Sequence, residues 1–132
     1  MKIFGLGTDI VNIKRIENLL AKHGSIFKNK IFSKNEMAYC EKKKNFAPFY
    51  AKRYAAKEAC AKALGTGLAK GVFWKDISVE NNELGKPSII LTNNALKRLN
   101  ILSINKCSIM ISLSDEKDYA IANVIIFETN ED

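Results

Sequence analysis

Glu58 and Lys62 stand four residues apart in RYAAKEACAKALGTG, residues 53–67, so in a helix they share one face. Gly65 continues that stripe. A glycine turn presents backbone N–H groups that can meet phosphate oxygens. Mg²⁺ commonly takes one or two carboxylates and completes its shell with substrate phosphate oxygens. A carboxylate, an ammonium and a glycine turn on one face would supply half of such a site. A second acid, Asp9, sits between Thr8 and the apolar pair Ile10–Val11, where an acid is either a loop cap or a site residue. The Glu58–Lys62 pair alone also fits a solvated i,i+4 salt bridge of about 0.2–0.5 kcal/mol.

The element that must carry Glu58 and Lys62 is a long helix. Pro48 suits its first turn. Ala51, Ala55, Ala56, Ala59, Ala61 and Ala63 are strong helix formers, small enough for close approach, and Gly65 and Gly67 bracket the exit. Asp9 is predicted to end a strand over residues 2–10, in which Gly5 and Gly7 mark the close approach of another backbone or a ligand. Asn12 can cap a helix to about Ala21, ended by His23-Gly24-Ser25. Ser33 and Glu36 form a capping box for a helix to about Lys42. A lysine run, 42–44, follows; it is either solvated or faces phosphate. Residues 76–80 and 87–91 read as paired strands across a turn, 81–86. Asn93 or Asn94 caps a short helix through Leu99. Residues 107–113 and 119–127 are two more strands, with 114–118 as a polar hairpin. The polar tail, 129–132, is expected to fray. The order predicts an α+β fold, with an antiparallel sheet packed against a long central helix and shorter helices.

The 132 residues suit one domain, 1–132, with a real core. No apolar run reaches the 18 or so residues of a membrane span, and the start MKIFGLGTDI lacks the pattern of a signal peptide, so cytoplasmic residence is expected. Cys40, Cys60 and Cys107 form no CxxC and suit reduced thiols. His23 is the sole histidine, which leaves His/Cys zinc sites and histidine-based triads poorly supported. The net charge of +7 suits a polyanionic partner: nucleic acid, a phosphorylated ligand or an acidic protein.

Three segments, in order and nearly end to end, resemble one family. GLGTDIVNIKRIE (5–17) resembles its G-x-G-x-D-I opening, RYAAKEACAKALGTG its R-F-A-A-K-E-A…K-A-x-G-T-G signature, and ISLSDEKDYAIANVII (111–126) its last strand pair. The tip Gly85-Lys86-Pro87 matches in kind and place. The family is that of holo-[acyl carrier protein] synthase, the small bacterial 4′-phosphopantetheinyl transferase. The resemblance implies transfer of the phosphopantetheine arm of coenzyme A to a serine of apo acyl carrier protein, in fatty acid biosynthesis, releasing adenosine 3′,5′-bisphosphate. It implies Mg²⁺ held by Asp9 and Glu58, and Lys62 as a point charge on the phosphates. Glu58, directly or through a metal-bound water, is the candidate base. Arg53, Lys62, Gly65, Thr66, Gly67, Lys86 and Pro87 would line the coenzyme A cleft, although each also fits a surface charge or turn residue.

By the same resemblance, the acidic carrier protein docks on the basic first helix at Arg15. Lys14 and Lys22 extend that surface by charge and helical position. A homotrimer with active sites between subunits is implied; it would account for apolar strand faces at Ile109, Ile111, Val124 and Ile126, which equally suit a core. The family commonly has histidine where Asp115 follows Ser114, so that histidine's binding role does not carry over. Tyr54 replaces the usual phenylalanine. The competing reading, a small basic nucleic-acid-binding module without catalysis, rests on the charge and the lysine run; aromatics do not interleave with the cations in an RNA-recognition pattern.

Overall fold

The structure, a computed structural model, describes residues 1–129; the expected fraying of the tail falls outside them from residue 130. The chain runs β1 (Lys2–Asn12), α1 (Ile13–Ile31), α2 (Lys34–Glu41), α3 (Ala47–Ala63), β2 (Ile77–Asn81), β3 (Pro87–Leu91), α4 (Asn93–Leu102), β4 (Cys107–Glu116) and β5 (Tyr119–Glu128). A 3₁₀ turn, Trp74–Asp76, precedes β2. The α+β class holds, but the strands form two sheets: a three-stranded sheet in the order β1-β5-β4 and the hairpin β2-β3, all antiparallel.

Several boundaries differ from the sequence reading; α4, for one, runs on to Leu102, with Thr92 rather than Asn93 or Asn94 at its N-cap. β1 continues to Asn12 because the ladder with β5 runs through Asn12↔Tyr119, so Asp9 lies within the strand rather than at its end. α1 does break at His23-Gly24-Ser25, the end expected for it: Gly24 takes φ 43, ψ −117, outside helical space, and the range Ile13–Ile31 joins two helices across that kink. The 114–118 hairpin shrinks to a tight turn, since β4 and β5 pair as far as Glu116↔Tyr119. The capping box stands as read: Ser33 Oγ accepts from Glu36 N at 3.2 Å, and Glu36 Oε1 accepts from Ser33 N at 2.8 Å.

Strand periodicity gives the large sheet two faces. One carries Gly5, Gly7, Asp9 and Val11 of β1, paired with Ile126, Val124, Ala122 and Ala120 of β5. β4 adds Ile109, Ile111 and Leu113. This face packs on α3, whose alanines at 51, 55, 56, 59, 61 and 63 are buried. The strand glycines exist for this contact. A Cβ on Gly5 would sit 1.8 Å from the Ala63 carbonyl oxygen, and one on Gly7 1.7 Å from that of Ala59. The close partner is therefore helix backbone, and the approach fixes the register of β1 along α3.

A charged pair lies wholly inside. Lys57 Nζ is 2.7 Å from Glu36 Oε1, both side chains inaccessible to solvent. Lys57 also donates to the carbonyls of Trp74, at 3.2 Å, and Ile77, while Glu36 Oε2 accepts from Val79 N at 2.9 Å. α2, α3 and β2 are thus tied by one satisfied polar knot. Removing either partner would strand a buried charge, at about 3–5 kcal/mol. Burial holds the Cys40 and Cys60 thiols up to about 12, and all three cysteines are free. Among the described residues, no helix is long and apolar enough to cross a membrane.

Candidate active site

The interlock of β1 and α3 brings the two acids of the sequence reading together. Asp9 follows Gly5 and Gly7 on the face packed against α3, one step beyond the Gly7–Ala59 contact. There it meets the Glu58–Lys62 stripe. Lys62 Nζ donates to Asp9 Oδ1 at 3.1 Å and to the Thr8 carbonyl at 3.0 Å. Asp9 is 17% exposed and Lys62 50%, so the carboxylate is shielded and the ammonium can reach an incoming anion. Glu58 is half-buried. Burial, and next the Asp9 carboxylate, push its pKa above the usual carboxylate range, against the pull of Lys62 and Arg15.

Two mutually repelling acids beside a lysine suit a hard cation. Among the described residues, no three or more His, Cys, Asp or Glu side chains gather to cage a metal. Two carboxylates, with substrate phosphate oxygens completing the shell, are the kind of donor set Mg²⁺ accepts. A cation there would relieve the repulsion between Asp9 and Glu58, which adds to burial in raising the Glu58 pKa.

Arg53 lies elsewhere. It and Lys52 are about 140° and 120° around α3 from Glu58, at about 100° per residue. Arg53 is 1% exposed. It donates to the Phe49 carbonyl at 3.0 Å and to Asn81 Oδ1, stacks 4.2 Å from the Tyr39 ring, and leaves its Nε without a partner. It lines a cleft of about 300 Å³ with Tyr39, Phe49, Lys52, Gly85 and Pro87. Pro87 lines the same cleft as Arg53. Lys86 is exposed and does not line the cleft; its backbone N–H donates to Asn82 Oδ1. The sequence reading missed Tyr39, Phe49 and Lys52; only the adjacency of Lys52 to Arg53 was a signal.

The glycine turn differs from expectation. The N–H groups of Gly65, Thr66 and Gly67 donate to the carbonyls of Lys62 and Ala61 at the end of α3, at 3.0, 3.3 and 3.0 Å. They close the helix and are not free for phosphate. Thr66 opens instead on a second cleft of about 300 Å³, with Lys70, Asn94, Lys97 and Arg98.

On α1, Arg15 does more than offer surface charge. Its Nη2 donates to Tyr54 Oη at 3.3 Å, and its charge reaches Glu58. Lys14 pairs with Glu17 at 3.1 Å in the open, and Lys22 is exposed. Val124 and Ile126 are buried against α3, and Ile109 and Ile111 share their face, so these four belong to the core. Apolar side chains left outward include Leu6, Ile10, Met110, Ile121 and Ile125, on the opposite face of the sheet.

This arrangement of sheet and central helix has close counterparts. The profile of the 4′-phosphopantetheinyl transferase superfamily matches residues 5–124, and the chain belongs to that superfamily. Within it, the chain groups with the holo-[acyl carrier protein] synthases that its motifs resemble. The holo-[acyl-carrier-protein] synthase of Brucella ovis is 46% identical over 126 residues, covering 94% of each chain. The crystal structure of holo-[acyl-carrier-protein] synthase from Neisseria meningitidis superposes with a TM-score of 0.82 at 36% identity, over 96% of this chain and 99% of that one. That of the Bacillus anthracis synthase, in complex with CoA (3′,5′-ADP), gives 0.80 at 34% identity, over 98% and 100%.

Proposed function

We propose that this enzyme moves the 4′-phosphopantetheine arm of coenzyme A onto a serine hydroxyl of apo acyl carrier protein, serving fatty acid biosynthesis in the cytoplasm. The serine oxygen forms a bond to the phosphorus carrying the arm. The phosphorus–oxygen bond to the nucleotide half of the pyrophosphate breaks, and adenosine 3′,5′-bisphosphate leaves. The observation that supports this most directly is the meeting of Asp9, Glu58 and Lys62 across β1 and α3. The complex of the similar Bacillus anthracis synthase with CoA (3′,5′-ADP) points the same way.

Lys62, clasped by Asp9 and Thr8, stands ready to contact the pyrophosphate as a fixed positive charge. Glu58, directly or through a water, is the candidate to take the serine proton. Asp9 and Glu58 would hold Mg²⁺, which supplies charge neutralisation on the phosphates when bound. Arg15, steadied by Tyr54, and beside it Lys14 and Lys22, offer a basic surface to an acidic carrier protein.

Lys52 and Arg53 face away from Glu58 around α3, so a single ligand touching both groups would bridge two copies of the chain. Together with the outward apolar row Leu6, Ile10, Met110, Ile121 and Ile125, this supports a homotrimer with sites between subunits. The transferase reading is preferred to a nucleic-acid module because the superfamily match covers residues 5–124.

The test mixes the protein with apo carrier protein, coenzyme A and Mg²⁺, then weighs the carrier by mass spectrometry. A phosphopantetheine mass gain is expected, nearly lost in Asp9→Ala and Glu58→Ala. No gain on a competent carrier would overturn the proposal.

A further inference from the structure

Asp115 continues the inner row of β4 after Ile111 and Leu113, at the end of the ladder opposite Ala120. There its carboxylate meets α3: Lys52 Nζ lies 2.9 Å from Asp115 Oδ1. Lys52 lines the Arg53 cleft and rests 4.5 Å from the centre of the Phe49 ring. Lys43 Nζ lies over the same rings, 4.7 Å from Tyr39 and 5.1 Å from Phe49. Three cations thus converge on an aromatic-walled cleft beside a buried guanidinium nitrogen that has no partner. That is a place for an anion on a flat ring system. Among the described residues, Asp115 is the acid paired with one of these cations, and it is where it would repel such an anion.

Coenzyme A carries two kinds of anionic group. On the transferase reading, on which this inference rests, the pyrophosphate goes to Asp9, Glu58 and Lys62. The ribose 3′-phosphate is left for the cleft. We propose that Asp115 is a built-in competitor for that group: its carboxylate holds the Lys52 ammonium, and the 3′-phosphate must take Lys52 from it. The pair is well placed to exchange. Lys52 is 18% and Asp115 37% exposed, and an ion pair this open to water is held only weakly. A dianionic phosphate is the stronger partner for an ammonium. Asp115 therefore lowers affinity for coenzyme A and selects little against analogues lacking the 3′-phosphate.

The test measures dissociation constants by calorimetry, without carrier protein so that no transfer occurs, for coenzyme A and for 3′-dephospho-coenzyme A. Asp115→Asn is expected to bind coenzyme A about three- to tenfold more tightly, with dephospho-coenzyme A changed less than about twofold. Lys52→Gln is expected to weaken coenzyme A alone. Unchanged or weaker coenzyme A binding by Asp115→Asn overturns the competition, as does equal tightening of both ligands or a Lys52→Gln variant that binds like wild type. Those results leave the transferase reading standing; a wild-type protein that binds no coenzyme A removes both.

Discussion

Lys62 Nζ spans Asp9 Oδ1 and the Thr8 carbonyl, at 3.1 and 3.0 Å, so one lysine of α3 clasps two consecutive residues of β1. The contact joins fold to chemistry. Lys62 helps hold the strand to the helix and is held, in turn, where a phosphate would arrive. Lys62→Met should lower kcat by about 10²–10³, the usual cost of removing one electrostatic donor from a reaction centre. Because Lys62 is half exposed, circular dichroism should show the fold unchanged. A rate within threefold of wild type would remove Lys62 from the mechanism.

Glu58 gives a pH signature. Its folded pKa lies above its unfolded value, through burial first and the Asp9 charge second. The neutral form is therefore favoured by folding. Any stability it contributes is present below the unfolded pKa and is lost as pH rises through the folded one. Glu58→Gln should accordingly melt higher than wild type at neutral pH, with the difference fading in acid. By NMR titration, Asp9→Asn should bring the Glu58 pKa down and Lys62→Met should take it up. Opposite shifts would contradict the charge arrangement described above.

Gly7 is a packing prediction. Alanine there would put Cβ 1.7 Å from the Ala59 carbonyl oxygen, so strand and helix must separate. A loss of about 3 kcal/mol or more is expected, seen as a lower midpoint in urea. Activity should fall in the folded fraction too, since moving β1 takes Asp9 away from Lys62. Full stability in Gly7→Ala would show that the interlock is looser than drawn.

The outward sheet face predicts assembly. Ile125 and Met110 are opposite one another, with Leu6 on the other side of Ile125, and all three are exposed in the single chain. Sedimentation should give a trimer for wild type. Ile125→Lys should give a monomer with little transferase activity. A wild-type monomer that is fully active would refute sites shared between subunits.

Much of this was legible in the residues, for physical reasons that differ by element. Ser33 and Glu36 announce a helix start because the capping box is local. Pro87–Leu91 reads as a strand from composition alone. The Asp9–Glu58 encounter depends on packing between segments nearly fifty residues apart, and only family resemblance anticipated it. Lys57 and Glu36 were invisible as core, since a charged residue reads as surface until its partner is found. The Gly65–Gly67 turn looked like a phosphate cradle because sequence shows N–H groups without showing which carbonyls already hold them. Face assignment in β4 and β5 stayed open for a related reason: apolar residues occupy both parities, and only α3 decides which row is inside.

The glycine–alanine contact between β1 and α3 bears on how tolerance maps of this chain would read. A saturation screen scored by growth should rank Gly5 and Gly7 with Asp9 and Glu58, although neither glycine has a side chain to offer a substrate. At these positions, harm from substitution measures the width of a gap between two backbones.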